Sequence, residues 1–392
     1  MLYPTVDFRS IPLFAGVTDA EWNDWTWHMK NGIRDIETLE KVVKLTDLER
    51  DQIRQCLGKF TMEITPYYAA LMDRDDPECP VRMQSVPRIA EMHDDPSDMA
   101  DPLHEDVDSP VPGLTHRYPD RVLLLVTNIC SMNCRHCTRR RLVGDEDVDM
   151  PEDNVSAAIE YIRKTPSVRD VLLSGGDPLV LPDEKLRSIL RRLREIPHVE
   201  IIRIGTRMPI VLPQRITDGL VNMLRQFHPV WVNVHFNHPK EITEQSWQAV
   251  KILRDLGIPL GNQSVLLKGV NDDTDVMRDL CHALGRLGVK PYYLYYADLV
   301  EGTGHFRTDM YKGKEICRDL CGATTGFLRP TYVVDALGGR GKTPVDLGYS
   351  DGISADRKGG VITSPIGLGK VYVNDPIERI EGKPTRHNPN RK

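Results

Sequence analysis

The chain has 392 residues, of which 40% are hydrophobic and 28% are charged, and its formal net charge is -6. This length and apolar content predict one large core together with a smaller domain. Acidic and basic residues are interspersed, a pattern that does not indicate a general nucleic-acid or membrane-surface binder. The N-terminus lacks a secretory-signal pattern, and no segment approaches the roughly 18 apolar residues of a membrane span. We therefore expect a cytoplasmic protein.

The N-terminal region, up to about residue 105, is predicted to be helical. Leu39–Leu45 and Thr46–Ile53 combine polar starts with apolar residues three and four positions apart. The stretch from Asp94 to Pro112 is rich in aspartate and proline, which is typical of an extended connector. These features place an N-terminal helical domain with an acidic linker at residues 1–110.

From residue 121 the chain repeats an apolar run, a polar turn and an amphipathic helix. Helices are predicted over residues 183–196 and 275–287, and Gly288 is placed to end the second one. Six such units with right-handed crossovers predict an α/β fold, a partial (β/α)6 barrel of parallel strands at residues 111–335, with a C-terminal segment at 336–392. The six predicted strands are Arg121–Asn128, Val168–Ser174, Glu200–Thr206, Val230–Phe236, Pro259–Leu267 and Pro291–Asp298.

Three of the eight cysteines lie within eight residues, on the loop after the first of these strands. Active sites of parallel barrels are built on this face. The C-x3-C-x2-C spacing of Cys130, Cys134 and Cys137 can bind three irons of a [4Fe-4S] cluster and leave the fourth iron open to a small molecule. The alternative is a closed zinc site that includes His136, but its spacing is poor for convergence on one tetrahedral ion. Three arginines follow, and a nucleic-acid patch is disfavoured in this acidic chain.

The cysteine motif and its flanks resemble the radical S-adenosylmethionine (SAM) superfamily and, within it, the lysine 2,3-aminomutase family. The resemblance extends from about Cys79 to about Thr363. It implies an isomerase that uses a [4Fe-4S] cluster, SAM and pyridoxal 5'-phosphate (PLP) to move the α-amino group of a basic amino acid to the β carbon, with L-lysine giving β-lysine. It also implies a six-unit partial barrel. We further expect an external electron donor for the cluster and a homo-oligomer.

A glycine-rich segment follows the second predicted strand. By itself it is explained equally well by a turn or by backbone that approaches a ligand closely. The resemblance implies contact with SAM, to which a pair of polar residues on the fifth strand is added. The predicted SAM-binding residues are Ser174, Gly175, Gly176, Asp177, Asn262 and Gln263.

Two stretches are predicted to bind PLP. Arg117, Tyr118 and Arg121 suit a phosphate and its ring because guanidinium groups bind phosphate oxygens bidentately, although isolated arginines more often form surface salt bridges. Lys342 lies in a Gly-Lys-Thr sequence that fails the Walker A pattern. The resemblance implies that Lys342 forms the Schiff base with PLP. Arg340 departs from the more glycine-rich loop of the family.

Asp298, Asp335 and Arg139 are predicted to bind the substrate. A lone aspartate at a strand end is usually a turn former or cap. The resemblance implies that the two aspartates hold the distal ammonium of lysine, that glutamate-specific relatives carry non-acidic residues there, and that Arg139 binds the substrate carboxylate. Departures at Arg340, Tyr296 and Ala297 leave open arginine or ornithine as substrates, or elimination on a hydroxylated basic amino acid. The non-enzyme alternative is an iron-sulfur electron-transfer or structural zinc protein.

The C-terminus departs most from the family pattern. Well-known lysine aminomutases bind a structural zinc through C-terminal cysteines and one cysteine of a neighbouring subunit. This chain has no cysteine after Cys321, and Asp273 stands in the stretch that would supply the partner cysteine. We therefore expect no zinc. The polar tail from Glu381 is expected to be loose.

Overall fold

The computed structural model describes residues 4–93, 95–143 and 149–348, together with the backbone of three short strands beyond them. The main sheet has nine strands in the order β1 to β9. These are β1 Leu114–Tyr118, β2 Arg121–Thr127, β3 Asp170–Gly175, β4 Ile201–Gly205, β5 Val230–Val234, β6 Leu260–Leu266, β7 Lys290–Tyr296, β8 Thr331–Ala336 and β9 Gly341–Pro344. A separate antiparallel sheet contains β10 Ser350–Ile353, β11 Gly360–Thr363 and β12 Lys370–Val373.

Helices precede the main sheet and alternate with its strands. The helices before the sheet are α1 Asp19–Trp22, α2 Trp25–Lys30, α3 Ile36–Leu39, α4 Asp47–Leu57, α5 Pro66–Ala69 and α6 Pro80–Met83. Those among its strands are α7 Glu152–Arg163, α8 Asp183–Arg194, α9 Met208–Val211, α10 Asp218–Arg225, α11 Glu244–Asp255, α12 Thr274–Leu287 and α13 Met310–Ala323. No helix in this described part of the chain is long and apolar enough to cross a membrane.

Strands β2 to β8 run parallel and form a nearly closed barrel. Each pairs with the next one along the chain, and β1 and β9 are antiparallel strands at the two edges. The backbone N–H of Lys342 on β9 donates to the hydroxyl of Tyr118 on β1 (2.9 Å), so a side-chain contact joins the first and last strands. The α/β partial barrel is confirmed, and β8 adds one parallel strand to the six predicted.

The apolar runs locate the barrel strands well because these strands bury one face and half-bury most of the other, as in β2 and β4. All six predicted strands are present, with boundaries within two residues of those expected. The two predicted crossover helices are α8 and α12, and Gly288 ends α12 in the left-handed conformation with φ 76°. This conformation favours glycine because it has no Cβ to clash.

In the N-terminal region, a capping residue predicted a helix correctly, whereas apolar spacing alone did not. Thr46 caps α4 through a bond from the Glu49 N–H to its hydroxyl (3.2 Å), as its sequence predicts. The helix predicted over Leu39–Leu45 is wrong. The N–H groups of Val42 and Val43 both donate to the Leu39 carbonyl (2.9 and 3.0 Å), so a single turn is enough to bury both valines.

The acidic segment at residues 95–112 forms turns on the barrel, and it is not the extended connector expected. Met99 pairs with Val300 beyond β7, and one hydrophobic core contains residues of both the N-terminal helices and the barrel. The division into residues 1–110, 111–335 and 336–392 stays a prediction, and β8 and β9 pair across its last boundary. The tail from Glu381 lies outside the described residues.

Candidate active site

The predicted site residues gather at the carboxyl ends of the barrel strands. The cysteine loop follows β2, the glycine-rich segment ends β3, and Asp298 follows β7. Asp335 lies near the end of β8 and Lys342 lies on β9. Parallel strands bring these distant segments to one face of the barrel.

The three cysteines of the loop are partly exposed, and none of them forms a disulfide bond. A tetrahedral zinc ion needs four donors around one point, whereas each thiolate of an open cluster binds a different iron. In the parts of the chain that the structure describes, no three His, Cys, Asp or Glu side chains are arranged to hold one metal ion. His136 instead stacks on His235, with 5.3 Å between the ring centroids. The donor set therefore fits an open cluster better than a Cys3His ion site.

Arg207, two residues after the end of β4, contacts one of these cysteines and was not predicted. Its Nη1 donates to the Cys134 Sγ (2.9 Å). Its Nη2 donates to the Glu241 Oε1 and the Gln84 Oε1, both at 2.6 Å. Arg207 and Glu241 are buried, so this ion pair is shielded from solvent. Local sequence carries no signal for the contact, because Arg207 is 73 residues from Cys134.

The arginines of the cysteine loop are held by carboxylates of the preceding region. Arg135 and Arg140 donate to the fully buried Glu91 (2.9 and 2.7 Å). Burial alone would raise the pKa of Glu91, but these two guanidinium groups hold it below its ordinary value. Arg141 pairs with Asp106 (3.2 Å). The arginine run thus anchors the loop through ion pairs.

Glycines bring the β3 segment against the start of the cysteine loop. Gly175 has φ +124°, and a Cβ on it would lie 2.1 Å from the Thr127 carbonyl oxygen. A Cβ on Gly176 would lie 2.1 Å from the Ile129 carbonyl oxygen. The Gly176 N–H donates to Thr127 (2.7 Å). One close approach that these glycines permit is therefore to the chain's own backbone.

The carboxylate of Asp177 is occupied by protein groups. It accepts hydrogen bonds from the Thr206 hydroxyl (2.7 Å) and from the backbone N–H of Arg207 (2.7 Å) and Leu179 (3.0 Å). These bonds fix the turn that carries Arg207. Ser174, three residues earlier, accepts a bond from Arg139 (3.3 Å).

Adjacent residues on β6 have different partners. Asn262 bonds to the backbone N–H and carbonyl of Phe236 (2.7 and 3.1 Å), beyond the end of β5. Gln263 accepts a bond from the Tyr295 hydroxyl on β7 (2.9 Å). Successive strand side chains point to opposite faces, so the two residues have separate roles. Of the two, Gln263 contacts the candidate site, because the ring of its partner Tyr295 lies beside Lys342.

The contact between β1 and β9 assembles the predicted PLP residues. Tyr118 accepts the Lys342 N–H, and the Arg121 guanidinium lies 3.7 Å from the centre of the Tyr118 ring. Gly341 has φ +87°, and a Cβ there would lie 2.9 Å from the Tyr118 hydroxyl. Arg117 is nearby on β1, with its Nε bound to Asp108 (2.8 Å). Arg121 also pairs with Asp120 (2.8 Å). An amine and two guanidinium groups brought together where β1 meets β9 are a donor set that fits a phosphate-bearing aldehyde cofactor.

The two aspartates form an acidic pocket that already holds an ammonium group. The Lys342 Nζ lies 3.0 Å from both carboxylate oxygens of Asp335 and 5.3 Å from the centre of the Tyr295 ring. Asp298 accepts a bond from Thr138 of the cysteine loop (3.0 Å). Burial and the charge of Asp335 raise the pKa of Asp298 to about 7. Tyr295 was not predicted as a site residue, although its position in β7, three residues before Asp298, was visible.

The guanidinium group of Arg139 is held along one side by a carboxylate. Its Nε and Nη2 donate to the two oxygens of Glu105 (2.9 and 2.6 Å). Burial would raise the pKa of Glu105, but Arg139 outweighs it and holds the pKa below its ordinary value. A guanidinium group has five N–H donors, so the end formed by Nη1 and Nη2 can bind a second carboxylate even though Nη1 also donates to the Ser174 hydroxyl (3.3 Å).

Known proteins resemble this chain over most of its length. A family model described as the radical SAM superfamily matches residues 124–281. The chain is 57% identical over 349 residues to the L-lysine 2,3-aminomutase of Clostridium subterminale, covering 89% of this chain and 84% of that protein. It is 58% identical to the L-lysine 2,3-aminomutase of Fusobacterium nucleatum, with 87% and 80% covered. It is 45% identical to the glutamate 2,3-aminomutase of Clostridioides difficile, with 84% and 78% covered.

These relatives agree with the resemblance found from the cysteine loop and its flanks. The superfamily match begins within β2, includes the cysteine loop and extends into α12, and superfamily membership implies SAM and a [4Fe-4S] cluster. The chain therefore belongs to the lysine 2,3-aminomutase family of radical SAM enzymes.

Proposed function

We propose that this protein is a PLP-dependent 2,3-aminomutase that converts L-lysine to β-lysine. The observation that carries the proposal is the acidic pocket of Asp298 and Asp335, where Asp335 binds the ammonium group of Lys342 through both oxygens. An alkylammonium is the group that a lysine substrate presents at its far end. A glutamate substrate would bring a third carboxylate to the same place, where like charges repel.

The bound cofactors supply the one-electron and nitrogen-transfer chemistry, and the chain orients the reacting groups and excludes water. Cys130, Cys134 and Cys137 each hold one iron of the cluster. Arg139, fixed by Glu105, binds the substrate carboxylate through its remaining end.

The substrate is held at both ends in this arrangement. Arg139 fixes the carboxylate and the acidic pocket fixes the distal ammonium. Thr138 links the two ends, because it adjoins Arg139 and donates to Asp298 (3.0 Å). Such two-point binding orients the carbon atoms between the ends, as proximity catalysis requires.

The cofactor assignments rest on the contacts of the same face. Lys342 would hold PLP through its amine, and its departure from Asp335 would leave that carboxylate free for the substrate. Arg117 and Arg121 would bind the phosphate and Tyr118 would pack beside the ring. SAM is assigned to residues 174–177 with Gln263, while Asn262 supports the turn after β5.

The proposed partners follow from this chemistry. An external one-electron donor reduces the cluster, and a thiolate-held cluster favours the reducing environment of the cytoplasm. We also propose a homo-oligomer without zinc. Asp273, in the stretch where relatives supply a zinc cysteine, caps α12 by accepting from the Asp275 N–H (2.8 Å).

The test is anaerobic incubation of the reduced, reconstituted enzyme with SAM, PLP and one amino acid at a time. Lysine should give β-lysine, while glutamate should give no product. Conversion of arginine, ornithine or a hydroxylated relative in place of lysine would support the assignment of the acidic pocket and would show that the substrate is a different basic amino acid. Turnover of glutamate with no basic amino acid accepted would contradict the proposal.

A matched pair of variants tests the acidic pocket. Asp335→Asn should weaken lysine binding by about 2 to 5 kcal/mol, because it leaves the distal cation with an incomplete set of partners. Asp279→Asn, an exposed carboxylate on α12, should change nothing. PLP absorbance and SAM cleavage without substrate report whether the Asp335 variant still binds its cofactors. Equal lysine affinity in both variants would rule out the pocket.

A further inference from the structure

Arg207 has no part in the proposed handling of lysine, SAM or PLP. Its guanidinium group nevertheless donates to a cluster cysteine, with 2.9 Å between the Arg207 Nη1 and the Cys134 Sγ. Its backbone is fixed by Asp177, which accepts the Arg207 N–H (2.7 Å). The contact therefore comes from an ordered turn.

Glu241 holds the other end of the guanidinium group in place. Its Oε1 accepts from the Arg207 Nη2 (2.6 Å) and the Tyr68 hydroxyl (2.7 Å). Its Oε2 accepts the backbone N–H groups of Asn237 (2.6 Å) and His238 (2.9 Å). Glu241 is fully buried, so neither the carboxylate nor its partner can turn toward water.

The Arg207 guanidinium group lies between the Cys134 sulfur and the Glu241 carboxylate. The positive group contacts the sulfur directly, and the negative group lies behind it. Hydrogen bonds to cluster sulfurs, net charge and burial are among the determinants of an iron-sulfur reduction potential. In a buried site such charges act strongly because little solvent screens them.

We infer that Arg207 is a positioning residue that raises the reduction potential of the cluster through Cys134, and that Glu241 behind it limits this rise. The inference rests on the proposed cluster held by the three cysteines. When the cluster gains one electron from its external donor, negative charge on the cluster and its thiolates increases. The guanidinium group stabilises that added charge, whereas the carboxylate opposes it.

This arrangement makes opposite predictions for the two members of the ion pair. Arg207→Gln removes the positive group and should shift the midpoint potential to a more negative value. Glu241→Gln removes the negative group and should shift it to a more positive value. Arg207→Lys, which keeps the charge without the planar fork, should fall between the wild type and Arg207→Gln.

The measurement is an anaerobic redox titration of reconstituted protein with viologen mediators, followed by the electron paramagnetic resonance signal of the reduced cluster. Iron and sulfide contents normalise each sample. Arg215→Gln is the matched control, because Arg215 is also a buried arginine after β4 but bonds to the Leu179 carbonyl (2.7 Å) and Asp183 (2.6 Å). Its potential should equal that of the wild type.

Equal potentials in all variants, or shifts of the same sign for Arg207→Gln and Glu241→Gln, would overturn the inference, since a purely structural role predicts no opposite shifts. If Arg207→Gln fails to hold a cluster, the other two variants test the inference. Glu241→Gln should then shift the midpoint potential to a more positive value and Arg207→Lys to a more negative one, and a failure of either shift would overturn the inference. A wild type that binds a cluster and converts lysine while the potentials stay equal refutes this inference alone. A wild type that assembles no cluster refutes the proposed function.

Discussion

Asp298 should make the folded protein less stable as the pH rises toward neutrality. Burial and Asp335 raise its pKa from 3.8 to about 7. The unfolded chain releases this proton near its ordinary pKa, whereas the folded protein keeps it until the pH reaches about 7. The stability associated with this group is therefore complete below pH 3.8 and is lost as the pH rises through about 7. A difference of about three pH units corresponds to a loss of up to about 4 kcal/mol.

The variant Asp298→Asn removes this titration and keeps an oxygen that can accept the Thr138 hydroxyl. We expect its free energy of unfolding to match the wild type near the ordinary pKa and to exceed it above neutrality by up to about 4 kcal/mol. Urea unfolding of the cofactor-free protein across this pH range measures the difference, with Asp279→Asn as the surface control. The same variant should bind lysine more weakly, because an amide carries no charge.

A stability difference between Asp298→Asn and the wild type that does not grow with pH would refute this reasoning. It would mean that the folded and unfolded states release the Asp298 proton at the same pH. Lysine should also stabilise the wild type more than the variant, since a ligand that binds more tightly adds more stability.

Four further outcomes are expected. Replacing any one cysteine of the loop by alanine should abolish cluster absorbance and SAM cleavage while PLP absorbance remains, and a variant that forms 5'-deoxyadenosine at the normal rate would contradict the ligand set. Glu105→Gln should raise the KM for lysine about tenfold, or about 1.4 kcal/mol, because Arg139 loses its orientation; an unchanged KM would show that Arg139 needs no partner. Gly176→Ala should lower iron content, whereas Gly16→Ala, with open space around it, should not; equal contents would exclude the packing argument. Metal analysis should find iron without stoichiometric zinc, and tightly held zinc in the folded assembly would refute that expectation.

The barrel was predictable because its strands bury one face and half-bury most of the other, and this leaves mostly apolar runs in the sequence. The cysteine loop was equally visible, since its three donors are neighbours along the chain. Leu39–Leu45 misled because a single hydrogen-bonded turn buries Val42 and Val43 just as a helix would. The spacing of apolar residues indicates which residues are buried, but it does not indicate whether the backbone continues into further helical turns.

The partners of the site residues were not predictable from local sequence. Arg207 meets Cys134 only because β4 and β2 end on the same face of the barrel. The adjacent Asn262 and Gln263 were assigned one role, although strand alternation gives them different neighbours. The acidic segment was interpreted as a connector because composition is the same whether carboxylates face water or arginines.

That acidic segment bears on how the protein could be shortened. Its carboxylates bind arginines at both ends of the candidate site, with Glu105 on Arg139 and Asp108 on Arg117. A chain that began at residue 111 would retain every barrel strand and yet leave these guanidinium groups without their carboxylate partners. Removing one partner leaves a partly buried charge without its counter-charge, which is destabilising. A minimal catalytic fragment therefore has to begin upstream of the acidic segment.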